Sequence, residues 1–341
     1  MTEPGLMEAV TVHGGGKRGE WNELAIGQVE RPTPGPAEVL VQVEACSVNR
    51  ADLLQRRGLY PAPPGASQVL GLDFAGFVID ASPKARDQWH DGERVFGIVA
   101  GGGYGRYVAV RASHLVPIPP AMSFIEAAAA AEVFITAWYN LFLLAQIQRG
   151  ELLLVHGGGS GVGTAAIQLA KAAGATVIIT AGSNEKVRRC LDLGADHGVN
   201  YKEEDFEARV RELTGGQGVD VVLDWIGAPY LEKHINLLKI RGRLVLIGLM
   251  GGSKAEIDLA PVLMKRLKFM GSVLRSQSAE EKDEIVWQFK RDVLPLLESA
   301  KVRPVIDRVY PIGQAEEAHQ YLREGEHFGK IVLTWEGPQK S

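Results

Sequence analysis

Hydrophobic and polar positions change rhythm at about residue 150. Downstream, short apolar runs alternate with amphipathic segments. The runs LLLVH (152–156), TVIITA (176–181), HGVNY (197–201), VDVVLDWIG (219–227), RLVLIGL (243–249) and LKFMGSVL (267–274) predict buried strands. Between them, 164–173, 184–193, 203–213, 229–240 and 259–266 predict helices. Six apolar strands separated by helices predict an α/β fold with a doubly wound parallel sheet. Upstream, VLVQVEA (39–45) alternates with period two, as a half-buried strand does. Residues 69–80, 92–99, 104–110 and 114–119 are further strands of a β-rich unit, and 1–6 reads as a loose start. The stretch 123–144 reads as two consecutive helices, opened by the capping-box pair Ser123 and Glu126. The tail predicts a long helix (279–299), a strand (305–311), a helix (314–324) and a last strand (330–335). It finds no place in a six-stranded sheet and is assigned back to the β-rich unit. The expected domains are therefore 1–132 with 276–341, and 133–275.

The most informative segment is LLLVHGGGSGVGTAAIQLAK (152–171). A buried strand runs into Gly157, Gly158, Gly159, Gly161 and Gly163, and the cluster opens directly into a helix. Side-chain-free backbone admits a pyrophosphate closely, and the helix N-terminus supplies amides and a positive dipole end. The strict G-x-G-x-x-G spacing is broken by Ser160. A plain strand–turn–helix connection would use the same glycines, but the flanking strand and helix are the context a dinucleotide loop requires. Gly158, Gly159, Ser160, Gly161 and Val162 are the candidate phosphate contacts. In folds that prefer NAD, an acid at the end of the second strand binds the ribose hydroxyls. Here that end reads Thr180-Ala181-Gly182-Ser183-Asn184-Glu185-Lys186, with no acid at the strand end. A hydroxyl from Ser183 with an ammonium from Lys186 suits a 2′-phosphate, so NADP(H) is the expected cofactor. The plain alternative is that Ser183 caps a helix and Lys186 is solvated; both can hold together.

Composition narrows the classes. The chain has 341 residues, long enough for two domains, and its 46% apolar and 23% charged residues are those of a globular protein. A net charge of −4 without a basic tract argues against a nucleic-acid surface. The sequence shows no apolar run long enough to suggest a membrane span, and no targeting segment is legible. Its two cysteines, Cys46 and Cys190, fit a reducing cytoplasm and rule out a disulfide framework.

Long strings carry a resemblance: SVNRADLLQRRGLYPAPPGAS (47–67), GLDFAGFV (71–78), VHGGGSGVGTAAIQLAKAAGA (155–175), TAGSNEKV (180–187), LGADHGVNYKEEDF (193–206) and HFGKIVL (327–333). With these residues the chain resembles the medium-chain dehydrogenase/reductase superfamily. Within it, the chain is similar to the zinc-independent, zeta-crystallin-like quinone oxidoreductases. NRADLLQRRGLYPAPPGAS, Ser160 and IGLMGG (247–252) look most like the p53-inducible type. The resemblance implies a Rossmann domain plus a GroES-like catalytic domain, and a homodimer. Zinc-dependent relatives carry Gly-His-Glu where this chain has Gly71-Leu72-Asp73, and a ligand cysteine where it has Asn49. Leu72 cannot bind a metal, and two cysteines cannot build a four-cysteine lobe. His90 and His114 are conceivable ligands, but a lone histidine between turn residues is more often a plain polar group, so no metal is expected. Without a Lewis acid to polarise a carbonyl, the acceptor should already be electrophilic. Quinones fit, and so do enones and alkenals.

The resemblance also assigns residues. Asn49 faces the nicotinamide side of the cleft and Asp52 helps hold its loop. Tyr60, in the exposed Pro/Gly-rich loop Gly58 to Gly65, is read from that position as an aromatic to stack on a flat quinone or donate a phenolic hydrogen bond. Asx-type capping for Asn49 and Asp52, and simple loop anchoring for Tyr60, are the alternatives. Thr136, Tyr201, Ile247, Leu249, Leu274, Ser276, Phe328 and Lys330 complete the expected cofactor contacts. RLVLIGL (243–249) is expected at the sheet edge, where edge-to-edge pairing would make a dimer. The reading is thus an NADPH:quinone reductase. The alternatives are an NADPH-dependent C=C reductase and a non-catalytic NADPH-binding protein of the crystallin or RNA-binding kind.

Overall fold

The computed structural model describes residues 5–14 and 18–336. It divides into two compact units, Met1–Ile135 with Arg275–Ser341, and Thr136–Leu274. Hereafter these are unit 1 and unit 2.

Unit 1 opens with β1 (Leu6–His13) and β2 (Glu23–Glu30), an antiparallel pair. Neither was expected from the pattern. Only Met7, Ala9 and Val10 of β1 are buried and no residue of β2 is, so the alternation is weak and Leu6 belongs to a strand rather than a loose start. Next come β3 (Glu38–Ser47), α1 (Arg50–Gln55), β4 (Asp73–Ala81), β5 (Arg94–Ile98), β6 (Tyr107–Arg111) and β7 (Leu115–Pro117). The period-two run in β3 buries Val39, Val41 and Val43 against Phe74, Val78, Val95 and Leu115. Each such side chain contributes about 1.5–3 kcal/mol when fully buried.

A single helix replaces the expected pair. α2 (Phe124–Trp138) continues without a break into a π-helical turn, Tyr139–Leu144. No glycine or proline interrupts it, so nothing in its backbone chemistry breaks it. At 21 residues it is long and apolar enough to cross a membrane by length and composition, which corrects the expectation that no such run exists. Of its most apolar 18-residue stretch, 78% is buried inside the protein, as in a core helix.

Unit 2 contains β8 (Leu152–Val155), α3 (Gly161–Ala172), β9 (Thr176–Ala181), α4 (Asn184–Asp192), β10 (His197–Asn200), α5 (Phe206–Leu213), β11 (Val219–Asp224), α6 (Leu231–Leu237), β12 (Leu238–Leu246), α7 (Ala260–Lys265) and β13 (Lys268–Gly271). The sheet is six-stranded and parallel, in the order β10-β9-β8-β11-β12-β13. A doubly wound parallel sheet is what the sequence predicts, and the strand order is that of a Rossmann fold. Leu154, Ile178, Val199, Val222 and Leu244, one from each of the first five strands, share one core. The edge assignment is corrected. β12 starts at Leu238, where a helix was expected to run on, and it pairs with β11 on one side and β13 on the other. The edge strands are β10 and β13.

The tail forms α8 (Ala279–Asp292), α9 (Leu294–Glu298), β14 (Ile306–Pro311), α10 (Ala315–Glu324) and β15 (Lys330–Thr334). Pro295 explains why one expected helix is two: it cannot continue α8 but suits the first turn of α9. β15 lies between β14 and β3, so unit 1 has a seven-stranded sheet in which the last strand of the chain pairs with the third.

Candidate functional site

In unit 2 the glycine turn is built from strand to helix. Ser160 is the N-cap of α3, and its Oγ accepts from Gly163 N–H at 3.0 Å. First-turn geometry leaves the Gly161 and Val162 amides without an intrahelical acceptor. Ser160 is thus no defect in the fingerprint, because it performs the capping that opens the helix. A Cβ at Gly163 would sit 2.5 Å from Gly157 O and 2.7 Å from Gly158 O, so the turn closes on itself through a bare Cα. Gly158 and Gly159 are buried between these points.

At the end of β9, Ser183 Oγ accepts from Lys186 N–H at 3.2 Å and caps α4. A Cβ on Gly182 would lie 2.8 Å from Tyr201 Oη and 3.4 Å from Lys202 Cε. Gly182, Ser183, Lys186, Tyr201 and Lys202 therefore cluster where β9 and β10 end. Lys202 is absent from the sequence reading; only its place after Tyr201 could have flagged it. Glu203, the nearest acid in that loop, accepts from Asn184 Nδ2 at 3.0 and 3.1 Å. Residues such as these fit a dinucleotide with an anionic ribose substituent: bare backbone at the turn, and cations with hydroxyls and no strand-end acid. Elsewhere in unit 2, Thr136 is buried and its carbonyl accepts from Asn140 Nδ2. Ile247 N–H donates to Asp224 O, Leu249 is exposed and Leu274 half-buried.

In unit 1, Asn49 sits just after β3 and begins α1. Its N–H donates to Asp52 Oδ2 at 2.8 Å. Its amide is spent at both ends: Nδ2 donates to Asp73 Oδ2 at 2.7 Å and Oδ1 accepts from Lys330 Nζ at 2.7 Å. Lys330 also donates to Val48 O, and Asp73 accepts from Ser47 N–H at 2.6 Å and from the Ser47 hydroxyl. Asn49, Asp52, Asp73 and Lys330 are all buried. Lys330, expected at the cofactor, is the cation of this network, and Asp73 is a member the sequence did not single out for a role. Phe328 is buried and Ser276 exposed.

Asp52 also accepts from Gly71 N–H at 3.1 Å and from Tyr104 Oη at 3.2 Å, and Tyr104 Oη lies 3.0 Å from His319 Nε2. Burial pushes the Asp52 carboxyl up to about 7; the Asn49 amide opposes this and the Asp73 charge adds to it. Unfolded, the same carboxyl loses its proton near 3.8. Between those values the folded state binds more protons, so this group's share of stability is lost as pH rises from about 4 to 7. A carboxyl ¹³C titration should place the Asp52 midpoint near 7. An ordinary carboxylate midpoint would contradict the buried charge network.

Tyr60 lies under a guanidinium. Arg275 Cζ is 5.1 Å from its ring centroid, and Arg275 also donates to Tyr60 O, Ala100 O and Gln55 Oε1. Burial raises the Tyr60 phenol, and Arg275 partly offsets that.

Two families match the chain: Alcohol dehydrogenase GroES-like domain over residues 35–120, and Zinc-binding dehydrogenase over 161–289. Quinone oxidoreductase of Rattus norvegicus is 32% identical over 304 residues, covering 89% of this chain and 90% of that protein. The chain belongs to the medium-chain dehydrogenase/reductase superfamily. This dehydrogenase/reductase is also 34% identical to phthioceranic/hydroxyphthioceranic acid synthase of Mycobacterium tuberculosis over 92% of its own length, but spans only 15% of that synthase. A mycobacterial protein solved in complex with NADPH superposes with a TM-score of 0.84 at 30% identity, covering 96% of this chain and 99% of that one. The superfamily is one of oxidoreductases, and the two-domain α/β fold described above is its fold.

Proposed function

We propose that the protein is an NADPH-dependent quinone reductase that works without zinc. The observation that carries this reading is the end of β9, where Ser183, Lys186, Tyr201 and Lys202 gather around Gly182 and the strand closes without an acid. A carboxylate there would repel a 2′-phosphate; cations and hydroxyls hold it. When bound, NADPH supplies the hydride. Gly158, Gly159, Gly161 and Val162 offer bare or main-chain contacts to its pyrophosphate. Unit 1 contributes no metal-binding side chain at Leu72, and the Asn49 amide is committed to Asp73 and Lys330. Tyr60, aromatic and pinned by Arg275, supplies a face for a flat acceptor and a phenol to hydrogen-bond its oxygen. Activated C=C bonds are the second acceptor class, because conjugation makes them electrophilic without a Lewis acid.

Steady-state oxidation of NADPH and NADH with ortho- and para-quinones, beside an enone series, tests the reading. Turnover of quinones with a clear preference for NADPH is expected. Enone-only turnover would move the protein to the second class, and NADH preference would sink the cofactor assignment. Tyr60→Phe and Tyr60→Ala separate the tyrosine's roles, because stacking survives Phe and hydrogen-bond donation does not.

The partner proposed is a second copy of the chain, paired through β13 rather than β12. Leu263 and Met264 of α7, with Phe269 and Val273 beside or just past that edge, are exposed apolar side chains around an unpaired strand. Light scattering at micromolar concentration should give a dimer mass, and Leu263→Asp with Phe269→Asp should give a monomer. A monomeric parent protein would remove the proposal. The buried thiols Cys46 and Cys190 suit a cytoplasmic location.

A further inference from the structure

Beneath the glycine turn of unit 2 lies a row of buried polar groups that the phosphate and ribose contacts do not use. His156 immediately precedes Gly157, Thr180 is in β9, His234 is in α6, and Asp224 ends β11; all four are fully buried. Gly157 N–H donates to Thr180 Oγ1 at 3.3 Å. Thr180 Oγ1 is 3.0 Å from His156 Nδ1, and His156 Nε2 is 2.8 Å from His234 Nε2. His234 Nδ1 has no hydrogen-bond partner and lies 4.0 Å from Asp224 Oδ2. Asp224 in turn accepts from Ile226 N–H and Gly227 N–H, both at 2.8 Å.

Chemistry fixes the direction of every bond in this row. Burial holds both imidazoles neutral, with His234 pushed down to about 3 and His156 well below its usual value. A neutral imidazole has one N–H and one lone pair. Facing a carboxylate, His234 Nδ1 is stabilised when it carries the proton and repelled when it presents a lone pair. Its Nε2 is therefore the acceptor, and His156 Nε2–H the donor. His156 Nδ1 then accepts from the Thr180 hydroxyl, whose oxygen accepts from Gly157.

The row also crosses the place where the strand order reverses. β8 has β9 on one side and β11 on the other, and the loops after β8 and β11 flank the crevice where doubly wound sheets bind ligands. We propose that Thr180, His156 and His234 are positioning residues that lock the first amide of the glycine turn to the 225–227 turn held by Asp224, fixing the two walls of the crevice. The role in cofactor binding rests on the NADPH reading; the lock itself does not. The ligating atoms of His156, Asp224 and His234 lie within 4.8 Å of one another. A metal there would compete with the His156–His234 hydrogen bond, and its binding would force the His156 proton off Nε2.

Histidine ¹⁵N shifts of the cofactor-free protein test the direction. His156 should be the Nε2–H tautomer and His234 the Nδ1–H tautomer. The reverse assignment, or stoichiometric zinc uptake that moves both rings, would overturn the proposal. Thr180→Val, close in shape to the parent, and His234→Phe should each speed hydrogen exchange at the Gly157 amide about tenfold, the usual consequence of losing one buried hydrogen-bond partner. Each should also raise the NADPH dissociation constant about tenfold, with the double variant showing less than the product of the two. Exchange at Gly157 that matches the parent in both variants would overturn the lock. Faster exchange in a protein whose parent form does not bind NADPH would support the lock and sink the cofactor reading.

Discussion

Lys330→Met is expected to destabilise unit 1 by about 3–5 kcal/mol, the cost of leaving buried charge without its partner. The lysine is almost wholly buried, and its ammonium reaches Asn49 Oδ1 and Val48 O, with Asn49 handing on to Asp73. Methionine fills nearly the same volume, so packing loss is small and the electrostatic loss is what remains. Two buried carboxyls, Asp52 and Asp73, would then share one site with no cation. In calorimetry the unit's transition should fall by roughly 10 °C, given about 2–4 °C per kcal/mol for a domain of this size. Adding Asp73→Asn should recover part of the loss, because the two positions belong to one network. A fall of no more than about 2 °C would show that Lys330 is not the counter-charge of Asp73.

Lys186→Glu is expected to raise the KM for NADPH about 100-fold while changing that for NADH less than about threefold. Charge reversal at a phosphate loses one charge-assisted contact and adds a repulsion, each on the order of a tenfold effect or more. Ser183 still caps α4 through the Lys186 main-chain amide, which the substitution leaves in place, so the helix start survives. Equal effects on both cofactors would take Lys186 out of the 2′-phosphate site. Tyr201 and Lys202, beside Gly182, would then be its remaining candidates in that cluster.

The nucleotide half of the fold is legible because its signals are local. Leu152–Val155 is continuously apolar, the glycines follow at once, and α3 has its cap written next to it as Ser160. β2 carries no such signal. Its side chains are all at least partly exposed, and a ladder with β1 holds it without a buried face. β12 misled for another reason: Lys239, Ile240 and Arg241 are half-buried or exposed, so the strand's first half has no apolar stripe and its paired position cannot be read. The site splits along the same line. Asn49 and Asp52 stand in one recognisable string, but the cation that holds them is 281 residues further on. His156 and His234 are 78 residues apart, and no spacing rule connects two lone histidines. Contacts made by folding rather than by neighbours in sequence are where reading the chain runs out.

The pairing of β15 with β3 orders events during synthesis. Unit 2 is contiguous, so every strand of its sheet has left the ribosome once residue 274 emerges and the doubly wound sheet can close by itself. Unit 1 is completed later: β3 can pair with β4 and β6 first, but its other neighbour β15 and the Lys330 ammonium of the Asn49–Asp73 network come only at Lys330–Thr334. Until then β3 has an open apolar edge, and Asp52 and Asp73 cannot be buried beside their cation. That interval is when the growing protein is most exposed to aggregation and to chaperone capture.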